Sequence, residues 1–476
     1  MNAFEQGNQL QAAGRYEEAI AAFDRCLAQS PQDWQALFNR GNARMGLKRY
    51  HEALDDYLQA AALNPASANI KCNLAVLLKE LGELPLAQNL LLEVLQAEPD
   101  HVDAWSNLGV VMQFLLRYDD AAQCHLEALH RGGETAARCN NLGNAYSCAL
   151  RLDEAIASYQ RGLALRPGDP HLSFNQSVAL LLAGRYAEAW PQYEHRWGSI
   201  LQPQYTRAPW HAQQTGPGTL LLWAEQGLGD TLQMARFIPE LQRRYPQLQL
   251  KLACQKTFFR LFGQLDGVAL LPQGERHDDY DWQLPLMSLP LQLGVTLDNL
   301  DDQPYLHADA ALSQQWAARL PARQTGRARV GIVWETGTWG VGIADHGRQN
   351  KSVPLAQFLP LLDAPGCDFI SLQLGEPPAE LQGKAVSLPL GDFADTAAVI
   401  ANLDLVISVD TSVVHLAGAL GVPVWVLMRA ESAPFFMAAG ERSPWYRSMR
   451  VFRQQTPAQW EPVLESVAKA LREYPL

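Results

Sequence analysis

A spacing of 34 residues recurs through roughly the first 200 residues, and it constrains the fold more than any other feature. Pro31, Pro65 and Pro99 stand 34 apart, and Pro167 lies two periods further on, with Gly133 in the intervening place. Small residues keep the same step: Gly7, Gly41, Ala75, Gly109 and Gly143 in one series, Ala19, Ala53, Ala87, Ala121, Ala155 and Ala189 in another. Bulky residues stand four places after members of the second series, at Phe23, Tyr57, Leu91, Tyr159 and Tyr193. A unit of this length holds two short helices whose small residues let them pack closely. The proline ends the second helix because it cannot continue a hydrogen-bonded ladder.

These positions resemble the tetratricopeptide (TPR) family, with about six repeats over residues 1–197. The resemblance implies an α solenoid, a TPR superhelix, whose first helices line a concave surface. Asn39, Asn73, Asn107, Asn141 and Asn175 are also 34 apart, at the sixth position of the first helix in repeats two to six. One position repeated at that period makes a ladder up the inner groove. An Asn amide offers both a donor and an acceptor, so it can bond a peptide backbone whatever its side chains. A similar ladder lies in the TPR groove of O-GlcNAc transferases, which implies a protein or peptide acceptor as partner. The other role open to the series is a bond to the neighbouring repeat or to water. Asn8, Asn42 and Asn144 form a second, incomplete row.

The net charge of −12 argues against a general nucleic-acid or anionic-membrane binder, because neutralising phosphates needs a basic surface. No run of about 18 apolar residues suggests a membrane span. The N-terminal residues lack the pattern of a signal peptide, and seven scattered cysteines contain no C-x-x-C pair. A cytoplasmic setting is the expectation.

Beyond a connector at 198–218, rich in Gln, Pro, Thr and Gly, apolar runs short enough for buried strands recur at 219–224, 248–254, 268–272 and 280–285. Further runs follow at 330–334, 368–373, 385–388, 404–410 and 423–428, with helix-like stretches between most of them. This alternation predicts an α/β region with parallel sheets, whose ligands sit beyond the C-terminal ends of the strands. One amphipathic stretch is expected at 232–244 and a closing helix at 457–474.

Three motifs carry candidate chemistry. In Asp410-Thr411-Ser412-Val-Val-His415 a strand ends at Asp410 and a helix begins near Thr411. Backbone N–H groups at a helix start can hold a diphosphate, Thr411 and Ser412 add hydroxyls, and His415 stands one turn in. Asp410 would repel a phosphate, so it reads as an N-cap or a sugar-hydroxyl acceptor. In Gly227-Leu-Gly229-Asp230-Thr231 the glycines permit a tight turn and close backbone approach, and Asp230 is either a base or a helix cap, with Glu225 as a second candidate. The segment 334–352 contains Arg348 and Lys351, and Gln373 ends a strand.

Taken together, these motifs resemble GT-B glycosyltransferases, most closely the bacterial heptosyltransferase-like group. The resemblance implies a short N-terminal half at 219–310 and a nucleotide-sugar-binding half at 311–476. It makes Asp230 the catalytic base and gives Gly227, Gly229, Lys351, Arg348, Gln373, Asp410, Thr411, Ser412 and His415 to the donor. The nucleotide sugar is a co-substrate, and neither a cofactor nor a metal is expected. There is no G-x-x-x-x-G-K-[ST], no G-x-S-x-G and no H-E-x-x-H. The glycine-rich loop at 335–342 departs from the group's pattern.

The two halves together resemble bacterial TPR-containing flagellin glycosyltransferases. That implies sugar transfer to Ser or Thr of a protein held by the repeats, flagellin among the possible acceptors. Two alternatives stay open: transfer to a lipid or polysaccharide precursor, and a non-catalytic TPR scaffold with a degenerate transferase fold.

Overall fold

The computed structural model describes residues 2–337 and 350–474. It divides into two compact units, one ending at Pro167 and one beginning at Gly168. The fold is the expected one, a helical solenoid followed by an α/β region of parallel sheets. No helix among the described residues is long and apolar enough to cross a membrane.

In the first unit the helices come in pairs, from Ala3–Ala12 with Tyr16–Gln29 to Ala136–Cys148 with Leu152–Leu165. First helices start on side-chain caps: Asp33 accepts from Gln35 and Ala36 N–H, Ser67 from Ile70, Thr135 from Arg138. The small-residue series has a direct steric cause. A Cβ on Gly7, Gly41, Gly109 or Gly143 would stand 2.5, 2.7, 2.4 or 2.5 Å from the ring of Phe23, Tyr57, His125 or Tyr159. Each ring therefore lies against bare helix backbone. In the third repeat, where Ala75 replaces glycine, Leu91 replaces the ring.

His125 fills the ring position of the fourth repeat with an imidazole that is 1% exposed. Burial depresses its pKa to about 4, so it is neutral in the folded chain.

The Asn rows interlock. Asn39 and Asn73 donate from Nδ2 to Oδ1 of Asn8 and Asn42, at 2.8 and 2.7 Å. Asn42 and Asn144 also accept from the hydroxyls of Tyr57 and Tyr159, at 2.6 and 2.7 Å. The second row is thus partly a set of tyrosine anchors. No side-chain hydrogen bond among the described residues engages Asn107 or Asn141, and both are half-buried.

The second unit opens with the helices Pro170–Leu182, Tyr186–Tyr193 and Arg196–Ser199. Four strands follow: β1 (Gly218–Trp223), β2 (Leu248–Cys254), β3 (Val268–Pro272) and β4 (Trp282–Pro285), in the parallel order β3-β2-β1-β4. Six more form a second parallel sheet: β5 (Ala328–Val333), β6 (Cys367–Ser371), β7 (Ala385–Ser387), β8 (Leu405–Val409), β9 (Val424–Met428) and β10 (Met449–Arg453). Their order is β10-β9-β8-β5-β6-β7. The order reverses between β5 and β8 in this sheet and between β1 and β4 in the other. A crevice opens at such switch points, beyond the strand ends. The closing helix is Glu461–Arg472.

Two expectations need correction. The stretch 232–244 is two helices, Leu228–Ala235 and Phe237–Arg244, because Pro239 has no N–H to offer the Ala235 carbonyl. The edge strand β10 was not anticipated.

Gly143→Ala is expected to destabilise the solenoid by about 1–3 kcal/mol, since Tyr159 must leave its place. Urea unfolding followed by circular dichroism measures this.

Candidate active site

β1 runs into Glu225, Gln226 and Gly227, and the helix Leu228–Ala235 starts there. Asp230 closes that start by accepting from the Gly227 N–H at 3.0 Å. β8 runs into Asp410, and the helix Ser412–Leu420 starts on Thr411, whose hydroxyl accepts from the Val413 N–H. The cap is therefore Thr411 and not Asp410. Thr411 has extended backbone, φ −136° and ψ 174°, which lets its side chain fold back onto the helix.

The two helices pack start against start, and glycine makes this possible. A Cβ on Gly229 would stand 2.8 Å from His415 Cδ2 and 3.7 Å from the Ser412 Cα. A Cβ on Gly418 would stand 2.5 Å from the Tyr446 ring. His415 is therefore enclosed, with Nδ1 and the Tyr446 hydroxyl 3.2 Å apart. Burial lowers its pKa to about 4, against the pull of Asp410, so it acts as a neutral ring. Arg236, the residue between Leu228–Ala235 and Phe237–Arg244, lays its guanidinium over the rings of Tyr446, Tyr305 and Trp445 and donates to the Trp445 and Asp301 carbonyls.

The converging helix starts concentrate positive partial charge, and two carboxylates stand there. Desolvation raises the Asp230 pKa to about 6, with the Asp410 charge adding to the rise and the Gly227 N–H and Lys351 opposing it. Asp410 takes the other course. Burial pushes its carboxyl up, but the Lys351 ammonium, 2.9 Å from Oδ2, and further positive charge at Arg429 hold it below the usual carboxylate range. One carboxylate is thus a fixed anion and the other is poised near neutrality.

Lys351 and Asp410 form one ion pair, so the cation that sequence places at a diphosphate is neutralised by the chain itself. Gln373 accepts through Oε1 from the Glu335 N–H at 3.3 Å. It lines a cavity of about 310 Å³ with Trp334, Ser371, Leu374, Gly375 and Leu388, at the ends of β6 and β7. Arg348 lies outside the described residues. Glu225 is unlike a surface base: its side chain is 2% exposed and its Oε1 accepts from Arg196 and from the Met287 N–H. Burial raises its pKa to about 7, against the opposing charge of Arg196. The structure thus gathers Gly227, Gly229, Asp230, Lys351, Asp410, Thr411, Ser412 and His415 at one place and sets Gln373 in the cavity. Asn175 sits on the helix Pro170–Leu182, while Asn39, Asn73, Asn107 and Asn141 belong to the first unit.

Sequence reasoning missed Arg429, the first residue beyond β9, and Tyr446. A basic residue directly after an apolar run was a usable signal for Arg429. Tyr446 had none, since it reaches His415 across 31 residues.

Comparison with known proteins agrees with this architecture. A tetratricopeptide repeat model matches residues 4–68 and 140–197. A model described as glycosyltransferase family 9 (heptosyltransferase) matches residues 379–470, which include β8, its helix and β9. The chain carries TPR repeats and a glycosyltransferase family 9 domain. It is 29% identical over 345 residues to Protein FlbA of Caulobacter vibrioides, covering 65% of this chain and 56% of FlbA. The chain thus spans little more than half of that relative. Solved TPR structures are also similar. TTC0263, a thermophilic TPR protein of Thermus thermophilus, is 28% identical, with a TM-score of 0.35, over 38% of this chain and 97% of that one. A tetratricopeptide repeat protein from Parabacteroides merdae is 21% identical, with a TM-score of 0.36, over 41% and 78%.

Lys351→Met is expected to destabilise the fold at neutral pH by about 1–3 kcal/mol, because Asp410 loses its counter-charge. The double variant Lys351→Met with Asp410→Asn should recover most of that loss. Chemical denaturation of the four members of the cycle measures it.

Proposed function

We propose that this chain is a glycosyltransferase that moves a sugar from a nucleotide-sugar donor to Ser or Thr of a protein chain held by the repeats. The observation that carries the reading is the pairing of a poised carboxylate, Asp230, with the Lys351–Asp410 pair at two converging helix starts beyond the strand ends. Family 9 membership of the segment containing β8 supports it, as does the likeness to FlbA. The resemblance of the two halves together to TPR-containing flagellin glycosyltransferases makes flagellin the first acceptor to test.

In this reading Asp230 takes the proton of the acceptor hydroxyl. The oxygen attacks the anomeric carbon, and the bond from that carbon to the donor phosphate breaks. The nucleotide departs with the electron pair, stabilised by the amides and hydroxyls at Thr411 and Ser412, with the Lys351 ammonium shared between the phosphate and Asp410. Gln373 and its cavity would meet the nucleoside. His415, being neutral, contributes shape and a hydrogen bond and no charge. Neither metal nor cofactor is invoked. We place the reaction in the cytoplasm, a reducing compartment that suits seven unpaired cysteines.

The Asn series has a divided role in this proposal. Asn39 and Asn73 spend a donor on the neighbouring repeat. Asn107 and Asn141 are the members that we assign to the acceptor backbone, with the remaining acceptor atoms of the series beside them.

A panel of nucleotide sugars screened by thermal shift identifies the donor, since a bound donor stabilises the folded chain by mass action. Intact-mass analysis of flagellin incubated with the chain and that donor then shows a gain of one sugar mass or more. No gain on any protein acceptor, with the donor still consumed, would move the acceptor to a lipid or glycan. No donor shift and no consumption would leave a scaffold. Asp230→Ala should abolish transfer and keep the donor shift. In the native chain kcat/KM should rise with pH through about 6, as Asp230 loses its proton, and then level. Asn107→Ala with Asn141→Ala should raise the acceptor KM about tenfold at unchanged kcat, the worth of one or two hydrogen bonds.

A further inference from the structure

The turn that leads from β1 into the helix of Asp230 is held by the last repeat, and the hold is side-chain specific. Two residues soon after β1, Glu225 and Gln226, are each gripped from the helices that end the repeats. Gln226 Nε2 donates to the Tyr193 hydroxyl at 2.8 Å, and that hydroxyl reaches Gln226 Oε1 at 3.2 Å. Arg196 is wholly buried. It donates through Nη2 to Glu225 Oε1 at 3.1 Å and to Ser288 Oγ at 2.8 Å. Through Nη1 it donates to Glu194 Oε1 at 2.7 Å and to the Tyr193 carbonyl at 3.2 Å. Ser288 in turn donates to Glu194 at 2.9 Å, and the Met287 N–H donates to Glu225 at 3.2 Å. One helical turn of the repeat thereby ties the end of β1 to the end of β4, the switch point of the four-stranded sheet.

Tyr193 belongs to the ring series of the solenoid. In earlier repeats its equivalents, Tyr57 and Tyr159, give their hydroxyls to Asn42 and Asn144. One period beyond Asn144 the chain has Val178, which has no acceptor to offer. The Tyr193 ring keeps its packing, with the rings of Phe174 and Trp190 at 5.5 and 6.1 Å. Its hydroxyl is released from the repeat pattern and turned to Gln226. Tyr193 is also near enough to Asp230 for the carboxylate charge to raise its phenol pKa, after the larger effect of burial.

We infer that Tyr193 and Arg196 are positioning residues: the last repeat fixes Gln226 and Glu225 so that Asp230 is aimed at the acceptor hydroxyl. This rests on the reading of Asp230 as the base. The repeats then act on the transfer step itself as well as on acceptor binding. Glu225 is a strut in this arrangement, its carboxyl held by Arg196 and the Met287 N–H rather than offered to substrate.

The test is Tyr193→Phe, which keeps the ring and deletes one hydroxyl, beside Tyr159→Phe, the same change one repeat earlier. The assay is sugar transfer with the donor found by thermal shift. Tyr193→Phe should lower kcat about tenfold, with donor KM within about twofold and the melting temperature nearly unchanged. Its acidic pH limb should move, because the neighbour of Asp230 has changed. Gln226→Ala should cause the same loss, and the double variant should add little to it. Tyr159→Phe should leave kcat and the pH profile as in the native chain. Native kcat and pH profile in Tyr193→Phe overturn the inference, and so does an equal loss in Tyr159→Phe. A native chain that transfers no sugar overturns the glycosyltransferase reading and this inference with it.

Discussion

A ring set against helix backbone that lacks a Cβ is the contact on which this protein depends. It occurs at Gly7, Gly41, Gly109 and Gly143, where aromatic or imidazole rings approach to distances that a Cβ would forbid. The contact sets how closely the two helices of a repeat can lie. The same device recurs in the α/β region, at Gly229 against His415 and at Gly418 against Tyr446. In the solenoid it yields spacing. At the candidate active site it brings two helix starts together and encloses an imidazole between them. Interiors are close-packed, so a single methyl group at any of these glycines has no room to be absorbed.

The electrostatics of the site follow from that closeness. Two carboxylates near two helix starts cannot both be ordinary acids. Asp410 is held ionised by Lys351, and its charge helps to keep Asp230 half protonated near pH 6. One environment therefore makes a fixed anion and a group able to exchange a proton at working pH. His415, deprived of water, has its own pKa pushed down to about 4.

The last repeat belongs to the second compact unit rather than to the first. Its residues look outward from the repeat pattern: Trp190 donates to the Val295 carbonyl, the Trp445 indole donates to the Tyr186 hydroxyl, and Arg196 is buried under the strand ends. In the sequence it is a sixth repeat like the others. In the fold it is a bracket for the α/β region. This explains why its ring residue, Tyr193, has a partner outside the repeat.

The sequence by itself determined the solenoid, because a period of 34 puts the same steric demand on every repeat and so leaves the same residues at the same places. It also determined nine of the ten strands among the described residues, since each is written as a short apolar run. It did not show β10, whose Met-Arg-Val-Phe-Arg run lies on a sheet edge and carries two arginines. Nor did it place the cap at Thr411, because an Asp followed by a Thr offers two equivalent cap side chains and only backbone angles choose between them. Tertiary structure alone decided the pairing of Lys351 with Asp410, the burial of His415 and the grip of Tyr193 and Arg196 on the loop. Those contacts join residues from 29 to 92 positions apart. No local periodicity links such positions; the folding of the sheets brings them within a hydrogen bond of one another.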